Sequence, residues 1–186
     1  MTYPSISKGF TLIELLVVIA LLSITLSMAV PFTTAFIKNQ AKEASRQSVL
    51  SALRFARATA IESRQLTTVC SLASSGECRS EWGNSLSVFQ DRNGNGKLDP
   101  TERVVRTINT DLGQWSQKNR PGSRAYFQWN SLGLSDGTPG SIEFCHGTSE
   151  RHRFAVVISF SGRIRTSLDY DGDGVEERHP GIPVIC

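Results

Sequence analysis

The sequence predicts an α+β chain in which one long amino-terminal helix precedes a head built on an antiparallel β-sheet. Three observations carry that prediction. The stretch from Phe10 to Val30 is almost wholly apolar. Between residues 32 and 64, Val49, Leu50, Leu53, Ala56, Ala60 and Ile61 recur at helical spacing and make one apolar stripe. After Arg64 the pattern turns into short strand-like segments parted by Gly, Asn, Asp and Pro. A helix first and strands afterwards is the order of an α+β architecture, with the stripe packed on the inner face of the sheet.

The apolar run reads "FTLIELLVVIALLSITLSMAV", and Glu14 is its only ionisable side chain. About 20 such residues span the hydrocarbon core of a bilayer as a helix. A carboxylate inside that helix costs on the order of 3 kcal/mol unless a partner meets it. A secretory signal peptide would use Lys8 as its charged region and "SMA" as a cleavage site after Ala29. The run is too long for that reading, and a carboxylate has no place in it. A plain membrane anchor also leaves the charge unexplained. Cutting the chain between Gly9 and Phe10 explains it. The new amino group on Phe10 is cationic, and Glu14 of one subunit can neutralise that terminus on a neighbour, so the buried charge sets register.

The segment "KGFTLIELLVVIALLSI" closely resembles the processing signal of type IV pilins and type II secretion pseudopilins. The match takes in Gly9, Phe10, Thr11, Leu12 and Glu14, and Pro31 stands where such pilins commonly carry a helix-bending proline. The resemblance implies cleavage after Gly9 by a prepilin peptidase and N-methylation of Phe10. It implies a helix that anchors the subunit in the bacterial inner membrane, with the head in the periplasm, and later packs in the core of a pilus fibre. Glu14 and Pro31 would be the assembly residues. The organisation expected is a cleaved leader at 1–9, a membrane and filament-core helix at 10–37, an amphipathic helix at 38–64 and a β-rich head at 65–186. Partners would be other minor and major pilins or pseudopilins.

Charge separates these parts. Residues 38–64 set Lys38, Lys42, Arg46, Arg54, Arg57 and Arg64 against Glu43 and Glu62, a net of +4. Residues 120–186 carry seven arginines against eight acids, a net of −1. The head is therefore no general nucleic-acid binder. The basic face of the helix reads as solvated, or as a contact to neighbouring subunits or anionic lipid.

The strands expected are "LTTVCSL", "NSLSVFQD", "RVVRTIN", "RAYFQW", "SIEFCHG", "RHRFAVVISF" and "GRIRTSL". The four cysteines all follow the apolar run, and an even number in an exported domain suggests two disulfides. The pairing favoured among three is Cys70–Cys78, flanking the turn-rich "SLASSGE", with Cys145–Cys186 pinning the carboxy terminus. No CxxC or histidine pair supports metal ligation instead.

Two acidic loops raise the question of calcium. In "DRNGNGKLDPTE", Asp91, Asn93, Asn95, Asp99 and Glu102 fall on ligand positions of an EF-hand loop. Gly96 takes the turn, Lys97 would offer its carbonyl, and Leu98 fills the apolar position. In "DYDGDGVEE", Asp169, Asp171, Asp173, Gly174 and Glu177 begin the same pattern, but Pro180 stands at the twelfth position. The rival reading is that Asp, Asn and Gly simply build tight turns. No other cofactor is expected.

"AVVISFSGRIRTSL" reads as a hairpin with the three-residue loop Phe160–Gly162 and Gly162 left-handed. That register pairs Ser159 with Arg163, Ile158 with Ile164 and Val157 with Arg165. Together with "QWNSLGL" and "IEFC", the region resembles the FimT/FimU/GspH group of minor pilins. Some FimT-like members with DNA-uptake roles carry a Gly-Arg-x-Arg motif, matched here by Gly162, Arg163 and Arg165. Paired arginines can meet phosphates, but the nearby acids oppose DNA, so a solvated strand face or a pilin contact is the rival reading. No catalytic residues are expected. His146, His152 and His179 are scattered, and Ser161 lacks the Gly-x-Ser-x-Gly frame.

Overall fold

The computed structural model describes residues 9–110, 112, 115–120, 124–147 and 150–185, and of residues 28–35, 118–120 and 151 it describes the backbone alone. Helix α1 runs from Leu12 to Ser63, 52 residues, with Pro31 inside it. Arg64 follows the last turn in the left-handed conformation, φ 55°, the usual way for a chain to leave a helix. The chain divides into two compact units, one up to Gln40 and one from Ala41 onward.

In the first unit every described side chain from Gly9 to Ser27 and from Phe36 to Gln40 is exposed. Among the described residues no helix is long and apolar enough to cross a membrane.

In the second unit the rest of α1 lies on two antiparallel sheets. The first has the order β3-β2-β1-β5, from β1 (Thr67–Cys70), β2 (Ser85–Gln90), β3 (Val104–Asn109) and β5 (Phe127–Trp129). The second has the order β4-β6-β7-β8, from β4 (Ser116–Arg120), β6 (Gly140–Cys145), β7 (Arg153–Ile158) and β8 (Ile164–Thr166). A small pair, β9 (Glu177–His179) and β10 (Ile182–Pro183), closes the chain.

One face of each sheet meets the helix. Val49, Leu50, Leu53, Ala56 and Ala60 are buried together with Val69, Leu86, Val88 and Trp129 of the first sheet. They also meet Ile142, Phe144, Phe154 and Ile158 of the second. Side chains alternate along a strand, so Thr68, Glu143, Ala155 and Arg165 stand on the faces turned away from α1. Burying one large aliphatic side chain contributes about 1.5–3 kcal/mol, which makes this stripe the main source of cohesion between helix and head.

Two expectations are corrected, and three strands form without a signal in their sequences. Ile61 is 48% exposed because it stands four and seven residues after Arg57 and Arg54, on the flank of α1 beside the stripe, where it meets the Gly133 turn while the adjacent Ala60 is fully buried. The basic face is not uniformly solvated, since Lys42 and Arg46 turn onto Glu176 and form ion pairs with it. Strands β4, β9 and β10 were not expected from their sequences. "SQKNR" has no apolar alternation, and its strand conformation comes from pairing with the buried β6.

Candidate functional site

The amino-terminal site is built by a helix cap. The Thr11 carbonyl accepts the Leu15 N–H at 3.2 Å, and its hydroxyl accepts the Glu14 N–H at 3.3 Å. Thr11 is thus the N-cap and Glu14 the third helical residue, the spacing of a capping box. A carboxylate there also faces the positive end of the helix dipole. This local role for Glu14 is legible in the Thr-x-x-Glu spacing and adds to the intersubunit partner expected of the charge. Phe10 and the described apolar side chains behind it are uncovered on every side, and Phe10 is 86% exposed. A helix apolar all round is stable only when lipid or other helices surround it.

The Gly-Arg-x-Arg hairpin has the expected register. Val157 faces Arg165 and Ile158 faces Ile164. The Ser159 N–H reaches the Arg163 carbonyl, and the Gly162 N–H returns to Ser159. Gly162 is left-handed, φ 72°. Its two arginines differ in kind. Arg163 is exposed. Arg165 is half-buried, donating to the Arg178 carbonyl at 2.5 Å and lying 2.7 Å from His179 Nε2. The turn rests against the 130–134 loop, where the Trp129 indole N–H donates to the Gly162 carbonyl and Arg57 Nε donates to the Gly133 carbonyl.

The two acidic loops are built differently. Asp91 is fully buried. One of its oxygens accepts the N–H groups of Gly94 and Asn95. The other accepts the Gly96 N–H, the Thr68 hydroxyl and the Gln128 amide. Those five donors saturate a carboxylate, which offers about four lone-pair directions. The amides of Asn93 and Asn95 both donate to Asp99, and Glu102 accepts the N–H groups of Arg92 and Asp99. Lys97 pairs with Glu77 at 3.6 Å. The loop thus ties its own oxygens to protein donors.

In the second loop, Asp169, Asp171, Asp173 and Glu177 bring one oxygen each within 4.8 Å of the others. The three aspartates are exposed and accept only backbone N–H groups among the bonds described. Glu177 is buried and accepts the Tyr170 N–H.

Cys70 and Cys78 are joined as expected, eight residues apart. Cys145 is disulfide-bonded, and the Cys145–Cys186 pairing lies outside the described residues at Cys186. Beside Cys145, the His146 and His152 rings meet edge to face at 6.4 Å, and His146 packs on Trp115. His179 stands apart, on Arg165.

A helix capped at Thr11, its described apolar side chains uncovered, with an antiparallel head on its second half, has the architecture of a pilin-like subunit. A prokaryotic N-terminal methylation motif matches residues 5–30, and the profile of the type II transport protein GspH matches residues 45–162. The chain belongs to that GspH family. No curated protein matches it in sequence. Two crystal forms of the type IV minor pilin FimU of Pseudomonas aeruginosa share the fold. One has 18% identity and a TM-score of 0.53 over 74% of this chain and 93% of FimU. The other has 17% identity and a TM-score of 0.51 over 68% and 91%.

Proposed function

We propose that this chain is a minor pilin that helps prime assembly of a type IV pilus and is incorporated near its tip. A prepilin peptidase cuts between Gly9 and Phe10, the new amino group is methylated, and the helix first anchors the subunit in the inner membrane. The role is structural rather than catalytic. The observation that carries the reading is the Thr11 cap. It starts the helix two residues after the cut, so that Phe10 lies just ahead of the cap, Glu14 lies in the first turn, and the described apolar side chains behind them are free to be covered. Glu14 then has two partners in turn, its own helix end in the precursor and a neighbour's amino terminus in the fibre.

Amino-terminal sequencing of the mature chain tests the cut, with N-methylated phenylalanine from position 10 as the expected result. Glu14→Gln tests the pairing. The variant is expected to be processed and membrane-bound yet to enter fibres at least tenfold less, and normal incorporation would sink the reading. The GspH profile favours a second reading, a pseudopilin of a type II secretion system. Deleting the chain then stops secretion of exported enzymes and leaves pili intact, the reverse of what a pilus subunit gives.

A further inference from the structure

We propose that the loop 169–177 is a calcium site, in which Asp169, Asp171, Asp173 and Glu177 hold one ion through carboxylate oxygens. The site goes beyond the pilin reading and does not depend on it.

The loop begins as an EF-hand does, with Asp169, Asp171 and Asp173 at positions one, three and five, Gly174 at six and Val175 at the carbonyl position seven. Pro180 stands at position twelve, where an acid should close the shell. The fold supplies that acid from position nine. Leu168 and Glu177 exchange both backbone hydrogen bonds, at 3.2 and 2.8 Å, so the chain leaves and returns at one point. The closure carries Glu177 back beside the aspartates, and the four side chains bring one oxygen each within 4.8 Å of the others. Oxygens on opposite sides of a calcium ion lie about 5 Å apart, twice the usual calcium–oxygen distance. One ion therefore fits among the four.

Glu177 separates this loop from a turn that merely carries acids. It is 4% exposed, and a buried carboxylate is ordinarily met by a cation, by several donors or by a metal. The cations close to it in sequence and space are spent elsewhere. Arg178 turns to Glu143, and Lys42 and Arg46 turn to Glu176. One Glu177 oxygen accepts the Tyr170 N–H, and the other has no donor among the described residues. The charges that do face it are the three aspartates, and among the described residues none of these has an ion pair. Like charges so placed oppose one another's ionisation unless a cation joins them. The first loop shows the other solution, with Thr68 and Gln128 brought to Asp91 and two asparagine amides brought to Asp99.

The donor set selects the ion. Four carboxylates on a turn, with a carbonyl and water to complete the shell, suit the six to eight oxygens and loose geometry of calcium, whereas magnesium demands a near-ideal octahedron and keeps its waters. The ion also bears on how the segment is held. Glu176, next to Glu177, accepts the Ser167 hydroxyl at 2.5 Å and pairs with Lys42 and Arg46 of α1. Binding fixes the loop one residue from that grip on the helix.

Isothermal titration of calcium into the chelator-stripped, detergent-solubilised full chain tests the site. One ion per chain is expected, with a dissociation constant of about 10⁻⁵–10⁻³ M. Asp171→Asn and Asp173→Asn keep a hydrogen-bond acceptor at exposed positions and remove one charge each. Either should weaken binding by about tenfold or more, with the circular dichroism spectrum in chelator unchanged. Asn95→Ala, in the first loop, should leave binding as it is, and magnesium should bind about tenfold more weakly than calcium. Calcium should also protect the bonds between residues 169 and 177 from protease, and Asp171→Asn should abolish that protection. Flat heats at about 5 mM calcium overturn the site. So do heats indifferent to both aspartate variants, or abolished by Asn95→Ala instead. A stoichiometry well above one ion per chain marks screening of an acidic surface and overturns it as well. None of these results depends on where the mature chain begins, so amino-terminal sequencing reads the pilin assignment separately.

Discussion

The carbonyl oxygen of Gly133 occupies the place a side chain on Gly162 would need, since a Cβ at Gly162 would stand 1.9 Å from it. Both glycines are left-handed, φ 72° at each. The glycine of the Gly-Arg-x-Arg stretch is therefore demanded by packing, whatever the arginines do. Gly162→Ala must open the two turns and adopt a disfavoured backbone, which together cost about 3 kcal/mol. The expected loss is roughly 10 °C in thermal midpoint, read by circular dichroism on the detergent-solubilised chain. A midpoint within about 2 °C of the parent would show that the turns yield freely.

The same hairpin shows what the sequence makes legible. Ile158 and Ile164 alternate with polar neighbours, and one glycine at the turn fixes the count, so the register follows from local residues alone. Strand β4 offers nothing of that kind, and its conformation is imposed by the strand beside it. The loop at Asp91 lies between these cases. In one dimension a cation site and a set of side-chain-capped turns have the same spacing. What separates them is the arrival of Thr68 and Gln128, from 23 and 37 residues away, at one carboxylate oxygen. Ile61 is a different case, since its spacing of four and seven residues from Arg57 and Arg54 places it on the cationic flank of the helix rather than on the buried stripe.

Asp91 gives the second prediction. Asp91→Asn puts an amide against donors that need an acceptor, in a fully buried site, and the expected destabilisation is about 3 kcal/mol. Because the bonds are internal, millimolar calcium should leave the deficit unchanged. A calcium-dependent recovery of the parent's midpoint would mean that this loop holds a cation after all.

The two arginines of the hairpin should separate in stability. Arg163→Ala removes an exposed side chain and is expected to change stability by less than about 0.5 kcal/mol. Arg165→Ala releases the Arg178 carbonyl and His179 and is expected to cost about 1–2 kcal/mol. Denaturant titration of both variants checks this. A gel shift with double-stranded DNA across a salt series can then be interpreted. Loss of binding in Arg163→Ala reports on DNA itself, whereas loss in Arg165→Ala alone reports on the fold. Equal stabilities for the two variants would contradict the structural role of Arg165.

The last prediction concerns how the carboxy-terminal segment is held to the outer face of the second sheet. Glu143 is fully buried on that face, and Arg178 Nε lies 3.0 Å from its carboxylate, an ionic contact without the alignment of a hydrogen bond. Arg153, on the same face, donates to the Val184 carbonyl at 3.5 Å and pairs with Glu150. Arg178→Met removes one of the groups that meet the buried Glu143 carboxylate, and it is expected to cost about 1–3 kcal/mol. It should also make the bonds after residue 177 sensitive to protease. Replacing both, with Glu143→Leu and Arg178→Met, removes the buried carboxylate as well and should regain part of that loss. The coupling energy in the double-mutant cycle is then expected to exceed about 0.5 kcal/mol. If the double variant is as unstable as the sum of the single ones, the segment is held by its apolar contacts, and the ion pair is incidental to its docking.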